Sequence, residues 1–183
     1  CSPKSEPLTN NPEIKCYSPE NYDGKFRGPV SIRNSLAQSL NIPAVKSLYL
    51  AGVKDSITTA QKMGITSLDI NNNYGLSLVL GSGEVSLLEI TNAYAVFANE
   101  GTYNKSSFIL SVLDKNGNIL ESYSNNSSSA IPKNVANQIN DILSDNTART
   151  PLYGPNSGLY FNNRPVADKT GTTNNYRDTW TIG

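Results

Sequence analysis

The stretch Lys169-Thr170-Gly171-Thr172-Thr173 does most to limit what this chain can fold into. It lies just after the apolar Pro165-Val166-Ala167 and just before Thr179-Trp180-Thr181-Ile182, with Asn174-Asn175-Tyr176-Arg177-Asp178 between them. Two short runs flanking a polar connection predict neighbouring antiparallel strands over Val166 to Thr173 and Thr179 to Ile182. A lysine followed by small hydroxyl residues and a glycine on a strand edge lets a carboxylate-bearing acyl substrate lie along the backbone, held by an ammonium and two hydroxyls. That chemistry is acyl transfer. The same residues also suit a plain strand edge whose lysine discourages edge pairing, a reading that Asp168 fits too.

A second candidate lies far away in sequence. A helical pattern of Ile32, Leu36, Ala37 and Leu40 runs into Asn41-Ile42-Pro43, where Pro43 disfavours continued helix at Ile42. At such a break Ser39 and Asn41 can both point into one cleft, or can simply cap adjoining helices.

Elsewhere the chain reads as short elements with no internal repeat and no long linker, hence as one body over 1–183. Ser86 with Glu89 forms a capping-box pattern ahead of Leu87, Ile90, Tyr94 and Phe97, and Gly101 can end that helix in a left-handed conformation. Asp55 to Lys62 predicts a shorter helix ending near Gly64. Pro132 to Leu143 predicts another, with Val135, Ile139, Ile142 and Leu143 on one face. Phe108 to Leu113 and Ile119 to Tyr123 flank Lys115-Asn116-Gly117-Asn118, a hairpin signal. The polar tract Asn125 to Ser129 reads as a mobile surface loop. Arg177 and Asp178 read as an ion pair near a turn, and Trp180 as core or cleft wall.

Composition narrows the chemistry. The 183 residues carry no histidine, which excludes a Ser-His-Asp triad and any histidine-ligated metal within the chain. Acyl transfer must then use lysine, serine or backbone groups, and no cofactor is expected. A formal charge of zero gives no electrostatic reason to expect nucleic acid. No run approaches the length that crosses a bilayer, and the N-terminus has no charged-then-apolar signal pattern. Cys1 and Cys16 could close a loop worth about 3 kcal/mol in an oxidising compartment, or remain free thiols.

With Ser39-Leu40-Asn41 and Lys169-Thr170-Gly171 both in view, the chain resembles the transpeptidase domain of penicillin-binding proteins, specifically the bifunctional class A kind. The signatures of that superfamily are S-x-x-K, S-D-N and K-T-G. The second and third are recognisable here. The resemblance extends through Asn21 to Val30, Ser39 to Lys46, Leu76 to Ser82 and Ala93 to Gly101, and covers nearly the whole chain. It departs at Asp168, where the family has a small residue. No S-x-x-K occurs between Cys1 and Gly183, so the chain reads as a fragment that begins after that motif. Thr59 to Lys62 and Thr102 to Lys105 have the spacing of a threonine version but fall outside the family's order.

The resemblance implies an α+β fold of the β-lactamase/transpeptidase type: an antiparallel sheet flanked by helices, incomplete because the chain is a fragment. It implies a peptidoglycan D,D-transpeptidase in which a serine outside this chain attacks the D-Ala-D-Ala amide of a stem peptide. Ser39 would relay a proton to the leaving amine and Lys169 would hold it in place. Asn41 would hydrogen-bond the substrate amide or the lysine of the absent motif. Thr170, Gly171, Thr172 and Thr173 would form the substrate-binding strand, with the Thr172 N–H as an oxyanion donor. Stem peptides and β-lactams are the implied partners, and the extracytoplasmic face of the bacterial membrane the implied location, with any membrane anchor in the missing N-terminal part. The fragment alone is expected to be inactive. A serine β-lactamase or D,D-carboxypeptidase, a noncatalytic penicillin-recognising sensor, and a purely structural piece remain as alternatives.

Overall fold

Ser31 opens the first helix by accepting a hydrogen bond from Asn34 N–H at 3.1 Å, so that α1 runs Ile32–Ala37. The structure is a computed structural model and describes residues 17–173 and 177–183. Cys1, Cys16 and Asn174, Asn175 and Tyr176 of the expected connection lie outside the described residues.

α1 stops at Ser39, whose φ of 54° is left-handed. Ser39 N–H then bonds Leu36 O at 3.1 Å and Leu40 N–H bonds Ser35 O at 2.9 Å, the paired closure that a left-handed residue after a helix makes possible. The predicted break is therefore real, but its expected consequence is not. A second helix, α2 (Asn41–Ala51), starts at once and includes Ile42 and Pro43. Pro43 is the third residue of α2, in the first turn, where backbone N–H groups have no intrahelical partner and a proline forfeits none. The N-terminus of α2 is satisfied from outside: Ile42 N–H donates to the buried Asn21 Oδ1 at 3.1 Å, and Asn21 Nδ2 donates to Lys25 O at 2.7 Å.

α3 (Val53–Lys62) and a 3-10 turn (Leu76–Leu80) lead to α4 (Leu87–Ala98). The predicted capping box is present, with Ser86 Oγ accepting from Glu89 N–H and Glu89 Oε2 accepting from Ser86 N–H. Glu89 also takes Thr66 N–H, Thr66 Oγ1–H and Ser67 N–H on its other oxygen, tying α4 to the chain after α3. These hydrogen bonds hold its carboxyl at about 2, well below its ordinary range. Between α3 and α4, Ile57, Ile65, Leu68 and Ala93 form a buried core cluster, joined by Met63, Tyr74, Leu78, Val85 and Ile90. Leu87, expected on the buried face of α4, is exposed, and Ala93 and Val96 are buried instead.

Gly101 (φ 89°) follows α4, and a Cβ there would stand 2.2 Å from Ile131 O, so only glycine fits this crossing. Its carbonyl accepts from Ala130 N–H and Ile131 N–H, next to a ladder of β1 (Thr102–Asn104) against β4 (Ser127–Ser129). The polar tract read as a mobile loop is thus partly a strand. The ladder is made by backbone groups, so β1 can pair with a serine run whose side chains remain exposed. β2 (Ser111–Leu113) and β3 (Ile119–Ser122) form the expected hairpin, closed by Asp114 and Gly117.

α5 (Lys133–Leu143) buries Ala136 and Leu143, while Val135 is exposed rather than inward as its spacing predicts. α6 (Asn146–Tyr153) follows and was not expected, since Pro151 interrupts its pattern. α1 packs on both α5 and α6, and Arg33 of α1 pairs with Asp141 and Asp145 at their junction. β5 (Lys169–Thr172) pairs antiparallel with β6 (Thr179–Ile182), with Lys169 opposite Ile182 and Gly171 opposite Trp180. Among the described residues the strands form three two-stranded ladders. The architecture is α+β as predicted. No helix is long and apolar enough to cross a membrane among the described residues.

Candidate active site

The corner between α1 and α2 and the start of β5 meet. Lys169 Nζ donates to Ser39 Oγ at 2.5 Å and to Thr170 O at 2.7 Å, joining positions 130 residues apart in sequence. Ser39 arrives there because α1 ends in a left-handed residue, which turns its side chain out of both helices. Lys169 arrives as the first residue of β5.

Burial pushes the Lys169 ammonium down from 10.5 to about 8; the Arg149 guanidinium pushes the same way, and the Asp168 carboxylate opposes both. A lysine so placed can exchange its proton at mildly alkaline pH.

The remaining site residues predicted from sequence are placed differently from one another. Thr170 is half-buried, and its hydroxyl shares a 2.9 Å hydrogen bond with Tyr153 OH from α6. Gly171 and Thr172 lie exposed on β5; the nearest atom to a Cβ at Gly171 would be Trp180 Cβ at 3.9 Å, so the glycine keeps the strand surface low. Thr173 closes the turn, with its N–H bonded to Asp178 O at 3.0 Å and its hydroxyl accepting from Asp178 N–H at 2.8 Å. Asp178 therefore bonds Thr173, where an ion pair with Arg177 was expected. Asn41 donates from Nδ2 to Glu20 O at 2.8 Å, and no described hydrogen bond joins it to Ser39 or Lys169. Thr59, which has the spacing of an alternative nucleophile, is exposed on α3 and donates to Asp55 O at 3.0 Å.

Sequence reasoning missed Arg149 and left the surroundings of Asp168 open. The two form an ion pair at 2.5 Å with each side chain only 3% exposed. Asp168 is thus an internal counter-ion and lends no support to the alternative of a plain strand edge at Lys169. Its departure from a small residue was the one signal in the sequence, and nothing there identified Arg149 as the partner. Tyr153 was missed as well, because the helix that carries it was not foreseen. Among the described residues no group of three or more Cys, Asp or Glu side chains is placed to hold a metal ion.

The chain matches the family described as penicillin binding protein transpeptidase domain over residues 4–182. It is 35% identical over 179 residues to penicillin-binding protein 1A of Aquifex aeolicus, covering 98% of this chain and 24% of that protein. To penicillin-binding protein 1B of Haemophilus influenzae it is 30% identical over 184 residues, covering 98% of this chain and 22% of that protein. The chain thus spans about a quarter of the length of these curated relatives. Penicillin-binding protein 1A from Haemophilus influenzae shares the fold at a TM-score of 0.73 and 22% identity, over 94% of this chain and 31% of that one. PonA1 from Mycobacterium tuberculosis, solved in complex with penicillin V, superposes at a TM-score of 0.69 and 26% identity, over 84% of this chain and 43% of that one. A family match across almost the whole length, together with the Ser39–Lys169 contact that unites its two expected motifs, leaves one assignment: the chain belongs to the penicillin-binding protein transpeptidase family.

Proposed function

We propose that this chain supplies the proton relay and the substrate-binding strand of a peptidoglycan D,D-transpeptidase. The observation that carries the reading is the Lys169 Nζ to Ser39 Oγ hydrogen bond of 2.5 Å, because it joins the two motifs on one surface. No S-x-x-K lies in the 183 residues, so the attacking serine comes from another part of the parent protein.

In the proposed reaction that serine forms a bond to the carbonyl carbon of the penultimate D-Ala while its proton enters the relay. The C–N bond to the terminal D-Ala then breaks, and Ser39 delivers a proton to the departing amine, with the Lys169 ammonium orienting its hydroxyl. The amine of a second stem peptide attacks the ester, and the serine recovers its proton. Thr170 and Thr172 bind the substrate's terminal carboxylate beside Lys169, and the N–H of Thr172, an exposed residue, serves as an oxyanion donor. Asn41 keeps its second N–H and its carbonyl oxygen for the substrate amide or the absent motif's lysine. Gly171 lets the substrate backbone approach, and Thr173 contributes by closing the turn behind it.

A β-lactam presents the same carboxylate and a strained amide, so it enters as a substrate mimic. The work takes place on the extracytoplasmic face of the bacterial membrane, where peptidoglycan is assembled.

The test is labelling of the full-length parent protein with a fluorescent penicillin, read on a gel and by intact mass. Labelling is expected for the parent and to slow at least about 100-fold in Lys169→Ala and Ser39→Ala, the scale of a lost proton-transfer group. Unchanged labelling in Lys169→Ala would overturn the reading. The 183-residue chain alone is expected to show no adduct, and a labelled band would reveal a nucleophile within it.

A further inference from the structure

The residue before Ser39 and the residue before Lys169 are fastened to one dipeptide. Gln38, buried, donates from Nε2 to Ala148 O at 3.0 Å. Arg149, the next residue of α6, donates to Asp168 Oδ1 at 2.5 Å. The same guanidinium donates to Leu159 O at 2.9 Å and to Leu143 O, and Asp168 N–H approaches Leu143 O at 3.4 Å. One side chain thus ties together the end of α5, the connection after α6 and the residue at the foot of β5.

An internal arginine with three separate acceptors is rigid, because its planar fork cannot shift toward one partner without losing another. The hydroxyl-to-ammonium contact is set between the two arms, Gln38 on one side and Asp168 on the other. We propose that Ala148–Arg149 of α6, with Asp168, is the positioning device of the site: it sets the separation of Ser39 and Lys169 and balances the charge beside Lys169. This rests on the reading of Ser39 and Lys169 as a proton relay. Arg149 and Asp168 are positioning residues, since neither takes part in the reaction itself.

The charged groups that act on Lys169 are Arg149, from α6, and Asp168, from its own chain segment; the neutral Tyr153 hydroxyl of α6 faces the adjoining Thr170. The two charges push the ammonium in opposite directions, and a scaffold role alone gives no such opposition. Asp168→Asn leaves Arg149 unopposed and favours the neutral amine, so the alkaline limb of the acylation profile should move to lower pH. Arg149→Met leaves Asp168 unopposed and should move the limb to higher pH. Each shift is expected to be about one pH unit, the low end for a neighbouring charge. Arg149→Lys keeps the charge but loses the fork, so the limb should stay while the rate falls about 10-fold.

The experiment measures penicillin acylation rate against pH in the full-length parent protein and these variants, with thermal unfolding alongside. Opposite limb shifts support the proposal. Equal losses of stability with the limb unmoved would mean a merely structural pair and overturn it. If either single variant fails to fold, Arg149→Met/Asp168→Asn removes both charges together. Its limb should return to within about half a pH unit of the parent while its rate stays reduced, and a full-sized shift or an unreduced rate would overturn the proposal. Lys169→Ala separates the two levels of the argument. If it leaves acylation unchanged, the relay reading falls; if it slows acylation while the limb ignores Arg149 and Asp168, only the positioning role falls.

Discussion

Lys169 donates its hydrogen bond to Ser39, a residue whose own backbone is held at a φ of 54°. The residue proposed as the relay is therefore also the left-handed closure of α1, a position where glycine has no steric penalty and serine pays one of about 1 kcal/mol. Stability and the proposed relay ask for different residues at that position.

Ser39→Gly and Ser39→Ala both remove the hydroxyl, but only glycine relieves the left-handed backbone. Ser39→Gly should be more stable than Ser39→Ala by about 1 kcal/mol in denaturant unfolding, while both lose penicillin labelling alike. Equal stability of the two would show that the positive φ costs nothing here.

Lys169, with its proton affinity lowered from 10.5 to about 8, is a cation that the folded state disfavours. Below pH 8 both folded and unfolded forms carry the proton, and the cost is fully present. Between pH 8 and 10.5 the folded form has released it and the unfolded form has not, so this group makes stability rise with pH across that window. Lys169→Met should accordingly be more stable than the parent below pH 8, on the order of 3 kcal/mol, with the gap closing toward pH 10.5. Thermal unfolding against pH measures it, and a gap independent of pH would contradict it.

Among the described residues, Tyr153 meets the site through the 2.9 Å hydrogen bond to Thr170. Tyr153→Phe leaves Thr170 free to rotate and should weaken the noncovalent capture of a β-lactam carboxylate by about 1 kcal/mol, roughly fivefold. The limiting acylation rate should be spared. Saturation kinetics separate the two, and a loss confined to the limiting rate would assign Tyr153 to the chemistry instead.

Glu89 holds α4 to the chain after α3 only while ionised, and its carboxyl sits at about 2 against an ordinary 4.5. The stability it contributes is present above pH 4.5 and is lost as pH falls from there through about 2. Glu89→Gln should flatten that part of the stability profile and lower stability near neutral pH by about 1 kcal/mol. A profile unchanged by the substitution would place the acid sensitivity elsewhere.

Local signals were read well where one residue settles a local geometry. Ser86 and Glu89 announced the cap of α4, Asn116-Gly117 the hairpin, and Val166 to Thr173 opposite Thr179 to Ile182 the last ladder, whose first strand begins only at Lys169. Pro43 misled because its effect depends on where the helix begins: within an interior turn it breaks the helix, and within the first turn it is harmless. Ser127–Ser129 misled because strand pairing used its backbone while composition described only its side chains. Pro151 hid α6, and with it Tyr153 and Arg149.

What the sequence by itself determined is the chemistry on offer: a lysine, three threonines, a serine and an asparagine, no histidine, and an order of segments that marks one protein family. It also determined most helices and turns, since propensities and caps act over a few residues. Only the tertiary structure decided that Ser39 lies 2.5 Å from Lys169, that Asp168 is paired with Arg149, and that Ala148 and Arg149 bond the residues preceding each. Those relations span from 19 to 130 residues of chain. They are set by the packing of α1 against α5 and α6 and by the need of buried charges to find partners, and neither leaves a periodic mark in sequence.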